Sequence, residues 1–180
     1  LLIDRDSIQF NAAADSCLDV EIVRTHLARA RTHTHAGTQS CPTCIDDMQT
    51  AVDLYAGDFL HGLLVGDSAE FETWAVSVRE QVRMQILSAL HTITRYHLHK
   101  GHYALAQMYA QRQVEIEPYR EEGHRQLMRA LARSGQRSSA LAQYRKCHGI
   151  LAEELGVEPA YETRELYEWI RSAGDARHHN

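Results

Sequence analysis

Gly101-His-Tyr-Ala-Leu-Ala106 and Gly135-Gln-Arg-Ser-Ser-Ala140 each place a glycine five residues before an alanine, and the two copies begin 34 residues apart. Each copy lies between two segments whose apolar residues recur at helical spacing. A glycine at such a junction can adopt the left-handed conformation that often ends a helix. The alanine leaves space for the second helix to approach the first closely. The pattern therefore predicts consecutive helix–turn–helix units.

A period of 34 residues is that of the tetratricopeptide repeat. Such units cannot bury their apolar faces alone, so they stack and leave a surface for partners. The sequence predicts an all-α fold of tetratricopeptide-like antiparallel helix pairs. A short vestigial β-hairpin is expected at the N-terminus, where residues 1–16 have a strand-and-turn pattern with too little sheet to stand alone. The predicted function is binding or regulation, and we expect no enzymatic activity.

Composition limits the possible functions of the chain. Its net charge is −5, and lysine occurs only at Lys100 and Lys146. A self-sufficient nucleic-acid binder normally shows a basic patch, so we do not expect this chain to bind DNA tightly alone. No apolar run approaches the roughly 18 residues of a membrane helix, and the signal-peptide pattern is missing. We therefore expect no membrane contact and a cytoplasmic location, and the missing initiator methionine suggests a piece of a longer protein.

Several stretches, in order along the chain, resemble a known family. They are Ala51-Val-Asp-Leu-Tyr-Ala-Gly-Asp-Phe-Leu60, Asp67-Ser-Ala-Glu-Phe-Glu-Thr-Trp74, Arg120-Glu-Glu-Gly-His-Arg-Gln-Leu-Met128, Ala142-Gln-Tyr-Arg-Lys-Cys147 and Leu151-Ala-Glu-Glu-Leu-Gly-Val-Glu-Pro159. From about Asp19 to Arg171 the chain resembles the bacterial transcriptional activator domain of SARP-type regulators, which control antibiotic and other secondary-metabolism genes.

The resemblance implies a domain organisation and a set of partners. Residues 1–16 would be the end of a preceding winged-helix DNA-binding domain, residues 17–174 the activator domain, and residues 175–180 a disordered tail. DNA would be bound only through the winged helix, which is absent here. This part would form a homodimer or contact another protein, such as the polymerase or a downstream domain.

One loop carries a set of metal-ligand residues. His33-x-His35 is followed by Cys41-Pro-Thr-Cys44, and two imidazoles with two thiolates suit tetrahedral Zn²⁺. The alternative is an ordinary polar loop rich in histidine. A redox role for the Cys-x-x-Cys pair is less favoured, because no βαβ pattern surrounds it.

The repeats predict a partner-binding groove, because grooves of stacked helices commonly take peptides or helices. The candidate lining residues are Tyr96, Tyr103, Tyr109, Arg112, Arg125 and Arg129. The alternative for each is a packing or solvated role. Trp74 and Trp169 are expected to fill core or helix-junction space, and Cys147 is expected on a buried stripe.

Two other functions compete with a regulator domain. One is a general repeat adaptor that binds a peptide and has no link to transcription. The other is a zinc-dependent or thiol enzyme, for which the sequence offers neither an open metal position nor a polar pocket. Glu121-Glu122 and Glu153-Glu154 are adjacent on predicted helices, so their side chains point apart and are poor catalytic pairs.

Overall fold

Helices make up the main body of the protein. The computed structural model describes residues 18–33, 41–63 and 68–175, with side chains to residue 172, and the backbone of residues 2–3 and 8–9. No described helix is both long enough and apolar enough to cross a membrane. The helices are α1 (Asp19–Thr32), α2 (Pro42–Leu54), α3 (Ala69–Lys100), α4 (Tyr103–Ile116), α5 (Glu121–Arg133), α6 (Arg137–Ile150) and α7 (Tyr161–Asp175), and a π-helical turn (Leu151–Leu155) follows α6.

The helices stack as pairs in chain order. Each helix packs against the next, and the helices α1, α3, α5 and α7 also contact one another in succession. From α3 to α6 the helices are joined by short turns, which make neighbours antiparallel. The predicted all-α, helical-repeat architecture is therefore confirmed. The pair α1–α2 extends the stack beyond the two units that the glycine–alanine period reveals.

The repeated glycines end helices in the predicted way. Gly101 has φ +76° and Gly135 has φ +83°. In both turns the next residue donates its N–H to a carbonyl five residues back, from His102 to His97 and from Gln136 to Leu131, at 2.9 Å each. This is the bond that closes a Schellman motif, and it satisfies a carbonyl that the helix end leaves open.

The repeated alanines lie where helices meet. Ala106 is fully buried and packs with Leu98 and Ala130, while Ala140 is fully buried and packs with Met128 and Ile170. A methyl side chain at these positions lets two helix backbones approach closely. Cys147 is 1% exposed, so its predicted burial is confirmed.

A buried chain of hydrogen bonds joins three helices. The Gln113 side-chain amide on α4 donates to the Thr94 hydroxyl on α3 at 3.0 Å and to the Gln126 side-chain carbonyl on α5 at 2.7 Å. The Gln126 amide donates in turn to Nδ1 of His91 on α3 at 2.9 Å. Because buried polar groups must find partners, this network favours one alignment of the three helices.

A second buried polar group lies between α5 and α6. His124 is fully buried, and its Nδ1 accepts a hydrogen bond from the Gln143 amide at 2.8 Å. Its Nε2 therefore carries the proton and donates to the carbonyl of Pro118 at 2.9 Å. Both ring nitrogens are satisfied in the neutral form, and burial lowers the pKa of His124.

Neither tryptophan fills core space, the first of the two roles predicted for them. Trp74 is 50% exposed and Trp169 is 56% exposed. The Trp74 ring contacts Phe71 of α3 at a centroid distance of 5.5 Å and Phe59, which precedes α3, at 5.6 Å, so it lies where that segment meets α3. On α7 the neighbouring Ile170 takes the buried position, so Trp169 is turned toward solvent.

The sequence pattern predicts a capping-box-like start of α3 at Asp67-x-x-Glu70 and a stripe on α6 that continues to Leu155, and the structure differs at both helix ends. α3 begins after Ser68, whose hydroxyl accepts a hydrogen bond from the N–H of Phe71 at 3.3 Å. The expected stripe of α6 stops at the π-helical turn, so Leu151 is buried whereas Leu155 is 54% exposed.

The chain ends are described only in part. Leu2–Ile3 pairs antiparallel with Ile8–Gln9, and Ile3 lies opposite Ile8. The residues between them lie outside the described part of the chain, so the vestigial hairpin stays a prediction. α7 extends to Asp175, and residues 176–180 of the predicted tail also lie outside it.

Candidate functional site

The loop between α1 and α2 brings a histidine and two cysteines together. His33 directly follows α1, Cys41 precedes the first residue of α2, and Cys44 lies in the first turn of α2. Nδ1 of His33 lies 3.3 Å from Sγ of Cys44 and 3.5 Å from Sγ of Cys41. Among the described side chains, this is the one group in which at least three potential metal-ligand atoms lie within 4.8 Å of one another.

The two thiols of this cluster have different environments. Cys41 is partly exposed, and a hydrogen bond from the backbone N–H of Cys44 lowers the pKa of its thiol. Cys44 is 1% exposed, and burial raises the pKa of its thiol. The two environments therefore shift the pKa values of the two thiols in opposite directions.

The predicted zinc site is described for three of its four residues. The structure brings His33, Cys41 and Cys44 together, whereas His35 lies outside the described residues. The ligand set as a whole remains a prediction.

A groove lies between α3 and α5, the first helices of two successive pairs. Its cavity measures about 480 Å³. Among the described residues that line it are three arginines, Arg95, Arg129 and Arg133, and a single carboxylate, Glu122. That carboxylate already accepts a hydrogen bond from Arg125 at 2.5 Å. Burial lowers the pKa of Arg129, and the positive charges of Arg125 and Arg133 act in the same direction. An anionic group placed in the groove would be attracted electrostatically.

Three of the six predicted groove residues lie at or beside this groove. Tyr96 and Arg129 are among its lining residues. Arg125 lies beside it on α5 and donates hydrogen bonds to Glu122 and to the Thr163 hydroxyl of α7. Arg125 thus has a structural role that joins α5 to the last helix.

The other three predicted groove residues lie on α4, the second helix of its pair, and do not line this groove. Tyr103 packs against the cluster of Leu98, Ala106 and Ala130. The other two contact earlier elements: Tyr109 contacts α3, and Arg112 contacts the end of α2. Tyr109 is 6% exposed and its ring stacks on His97, and Arg112 donates to the backbone carbonyl of Tyr55.

Comparison with known proteins identifies the family. The profile described as "Bacterial transcriptional activator domain" matches residues 18–171. The chain belongs to this family. It is a family of transcription regulators rather than an enzyme family.

Relatives of this bacterial transcriptional activator domain are regulatory proteins. Over 131 residues, 73% of this chain, it is 35% identical to the regulatory protein AfsR of Streptomyces coelicolor, and the match covers 12% of that protein. Over 60 residues, 33% of this chain, it is 43% identical to the transcriptional regulatory protein MoaR1 of Mycobacterium tuberculosis, and the match covers 19% of that protein. The aligned part is thus less than a fifth of the length of either relative.

Sequence reasoning missed Arg95 and Arg133, two arginines that line the groove of this activator domain. Arg95 lies four residues before His99 on α3, and Arg129 lies four residues before Arg133 on α5. Residues four apart share a helix face, so this spacing was a usable signal. The missing information was which faces of α3 and α5 meet.

Proposed function

We propose that this activator domain is the protein-contacting part of a transcription regulator, and that a winged-helix domain preceding residue 17 binds DNA. Membership of the family and the names of the relatives support a regulatory role. The net charge of −5 supports a division of labour in which this part does not itself hold DNA. Such a regulator would act in the cytoplasm.

The proposed contact surface is the groove between α3 and α5. Its arginines face a shared cavity of about 480 Å³, and the single lining carboxylate is already bonded to Arg125. Arginine recognises carboxylates through paired hydrogen bonds. Tyr96 adds an aromatic surface beside these charges. The observation that carries the proposal is the positive charge of Arg129 and Arg133 in a concave surface of a negatively charged protein.

The partner we propose is an acidic segment of a protein, either a second copy of the regulator or a component of the transcription machinery. A bound carboxylate would offset the repulsion among the guanidinium groups. Hydrogen bonds to charged groups are worth about 1.5–3 kcal/mol, so losing one should weaken binding roughly 10- to 100-fold.

The test compares Arg129→Ala with Arg145→Ala, an exposed arginine on α6 that does not line the groove. Fluorescence anisotropy measures binding of a labelled peptide of about 12 residues that alternates glutamate with leucine, and of its glutamine counterpart. We expect the wild-type chain to prefer the glutamate peptide, Arg129→Ala to lose that preference and Arg145→Ala to keep it. Equal affinity of the wild-type chain for both peptides contradicts the proposal.

A reporter assay with the full regulator separates this function from a general adaptor. Arg129→Ala should lower transcription from a target promoter while DNA binding stays unchanged. A variant that loses peptide binding without any change in transcription supports the adaptor instead. Light scattering of the purified chain, with and without Arg129→Ala, shows whether the partner is a second copy.

A further inference from the structure

The cluster of His33, Cys41 and Cys44 has no part in the proposed contact surface. It joins the end of α1 to the start of α2, and the groove lies between α3 and α5. We propose that these three residues bind a structural Zn²⁺ that links the end of α1 to the start of α2.

The distances within the cluster match those between ligands of a tetrahedral zinc ion. A Zn–S bond of about 2.3 Å and a Zn–N bond of about 2.0–2.1 Å, at a tetrahedral angle, place the two ligand atoms about 3.6 Å apart. Nδ1 of His33 lies 3.5 Å from the Cys41 sulfur and 3.3 Å from the Cys44 sulfur. Little movement is needed to admit the ion.

One nitrogen and two sulfurs at these distances form an arrangement that a shared cation can bind. A neutral imidazole nitrogen has either one proton or one lone pair, so Nδ1 makes one good hydrogen bond. A cation between the three atoms satisfies all of them at once. Thiolate and imidazole ligands favour zinc over magnesium or calcium, which prefer oxygen.

The surroundings of the cluster indicate a structural rather than a catalytic metal. Cys44 belongs to the core that also contains Leu27 and Ala30 of α1, and Cys41 packs against that core. The ion would therefore join two helices that already pack together. A structural zinc ion has four ligands, and the three described side chains supply three of them.

The competing chemistry is a disulfide between Cys41 and Cys44. Such a bond would make no use of His33, whereas zinc requires it. His33→Ala therefore separates the two explanations, and work under reducing conditions removes the disulfide from the comparison.

The test uses the full chain without an affinity tag, purified in a reducing buffer that contains no chelator. Mass spectrometry of the metal content should find about one zinc per chain. His33→Ala, Cys41→Ser and Cys44→Ser should each lower zinc affinity by more than the roughly 10- to 100-fold that loss of an outer-shell partner causes. Cys147→Ala, which removes a buried thiol on α6, and His148→Ala should keep the zinc.

Cobalt gives an independent measurement, because tetrahedral Co²⁺ bound to thiolates has intense visible and near-ultraviolet bands. These bands should appear when Co²⁺ is added to the zinc-free chain and should weaken in His33→Ala. Since a ligand variant can also fail to fold, the wild-type chain provides a further readout: added zinc should raise its Tm and a chelator should reverse the rise. A reduced wild-type chain that binds neither metal, or a His33→Ala variant with unchanged affinity, overturns the proposal.

Discussion

Replacing Gly101 with alanine tests the turn that defines the helical repeat. Gly101 has φ +76° and ψ +11°, and a Cβ built there meets no described atom within 4 Å. The substitution therefore adds backbone strain without a steric clash. The left-handed conformation costs a residue with a side chain about 1–2 kcal/mol. Alanine also restricts the unfolded chain, which offsets about 0.4–1 kcal/mol of that strain.

The net expectation is a loss of about 1 kcal/mol in the free energy of unfolding, which lowers Tm by about 2–4 °C in a chain of this size. Urea denaturation followed by far-ultraviolet circular dichroism measures it. Gly135→Ala should behave in the same way, since Gly135 has φ +83° and its added Cβ also meets no described atom within 4 Å. Gly101→Asn should lose less than Gly101→Ala, because asparagine tolerates the left-handed region.

Gly57→Ala is the matched control for this experiment. Its added Cβ likewise meets no described atom within 4 Å, but its φ lies outside the positive range. It should therefore be neutral or slightly stabilising. The reasoning is refuted if Gly101→Ala is as stable as Gly57→Ala, or if asparagine at position 101 is worse than alanine.

Two further predictions concern pH and helix packing. Burial lowers the pKa of His91, His97 and His124, so the unfolded chain binds protons more readily than the folded chain. The contribution of these histidines to stability is therefore complete above their unfolded pKa of about 6.5. As the pH drops below that value, the free energy of unfolding decreases by at most about 1.4 kcal/mol per pH unit for each histidine. Urea titrations at about pH 7.5 and 5.5 should show a smaller decrease for His124→Gln than for the wild-type chain. Gly123→Val should lower the free energy of unfolding by about 1–3 kcal/mol through overpacking, because even a Cβ there lies 3.2 Å from a side-chain carbon of α4. Gly149 has more open surroundings, so Gly149→Ala should raise the free energy of unfolding by up to about 1 kcal/mol in the same assay.

The helices and their ends follow from local sequence. A left-handed glycine such as Gly101 and a first-turn proline such as Pro42 act through bonds within about five residues, so their patterns are legible along the chain. The same holds for the pairing of His33 with Cys41 and Cys44. These residues lie close together in the sequence, between the end of α1 and the first turn of α2, so their spacing alone predicted that they lie together.

The exposure of Trp74 and Trp169 and the make-up of the groove were decided by packing. Helical periodicity states which residues share a face, and it leaves open which neighbour that face meets. Tyr109 has the same spacing whether it lines a groove or stacks on His97, and only the crossing of α4 with α3 buries it.

Local sequence thus specified an all-helical stack with glycine turns, because helix formation and helix ending depend on neighbouring residues. The tertiary structure decided that α3 and α5 meet along arginine-bearing faces and that a buried network links them. The hydrogen bond from Gln126 to His91 joins residues 35 positions apart. Such a contact forms only when several helices pack at once, and no short window of the chain contains both partners.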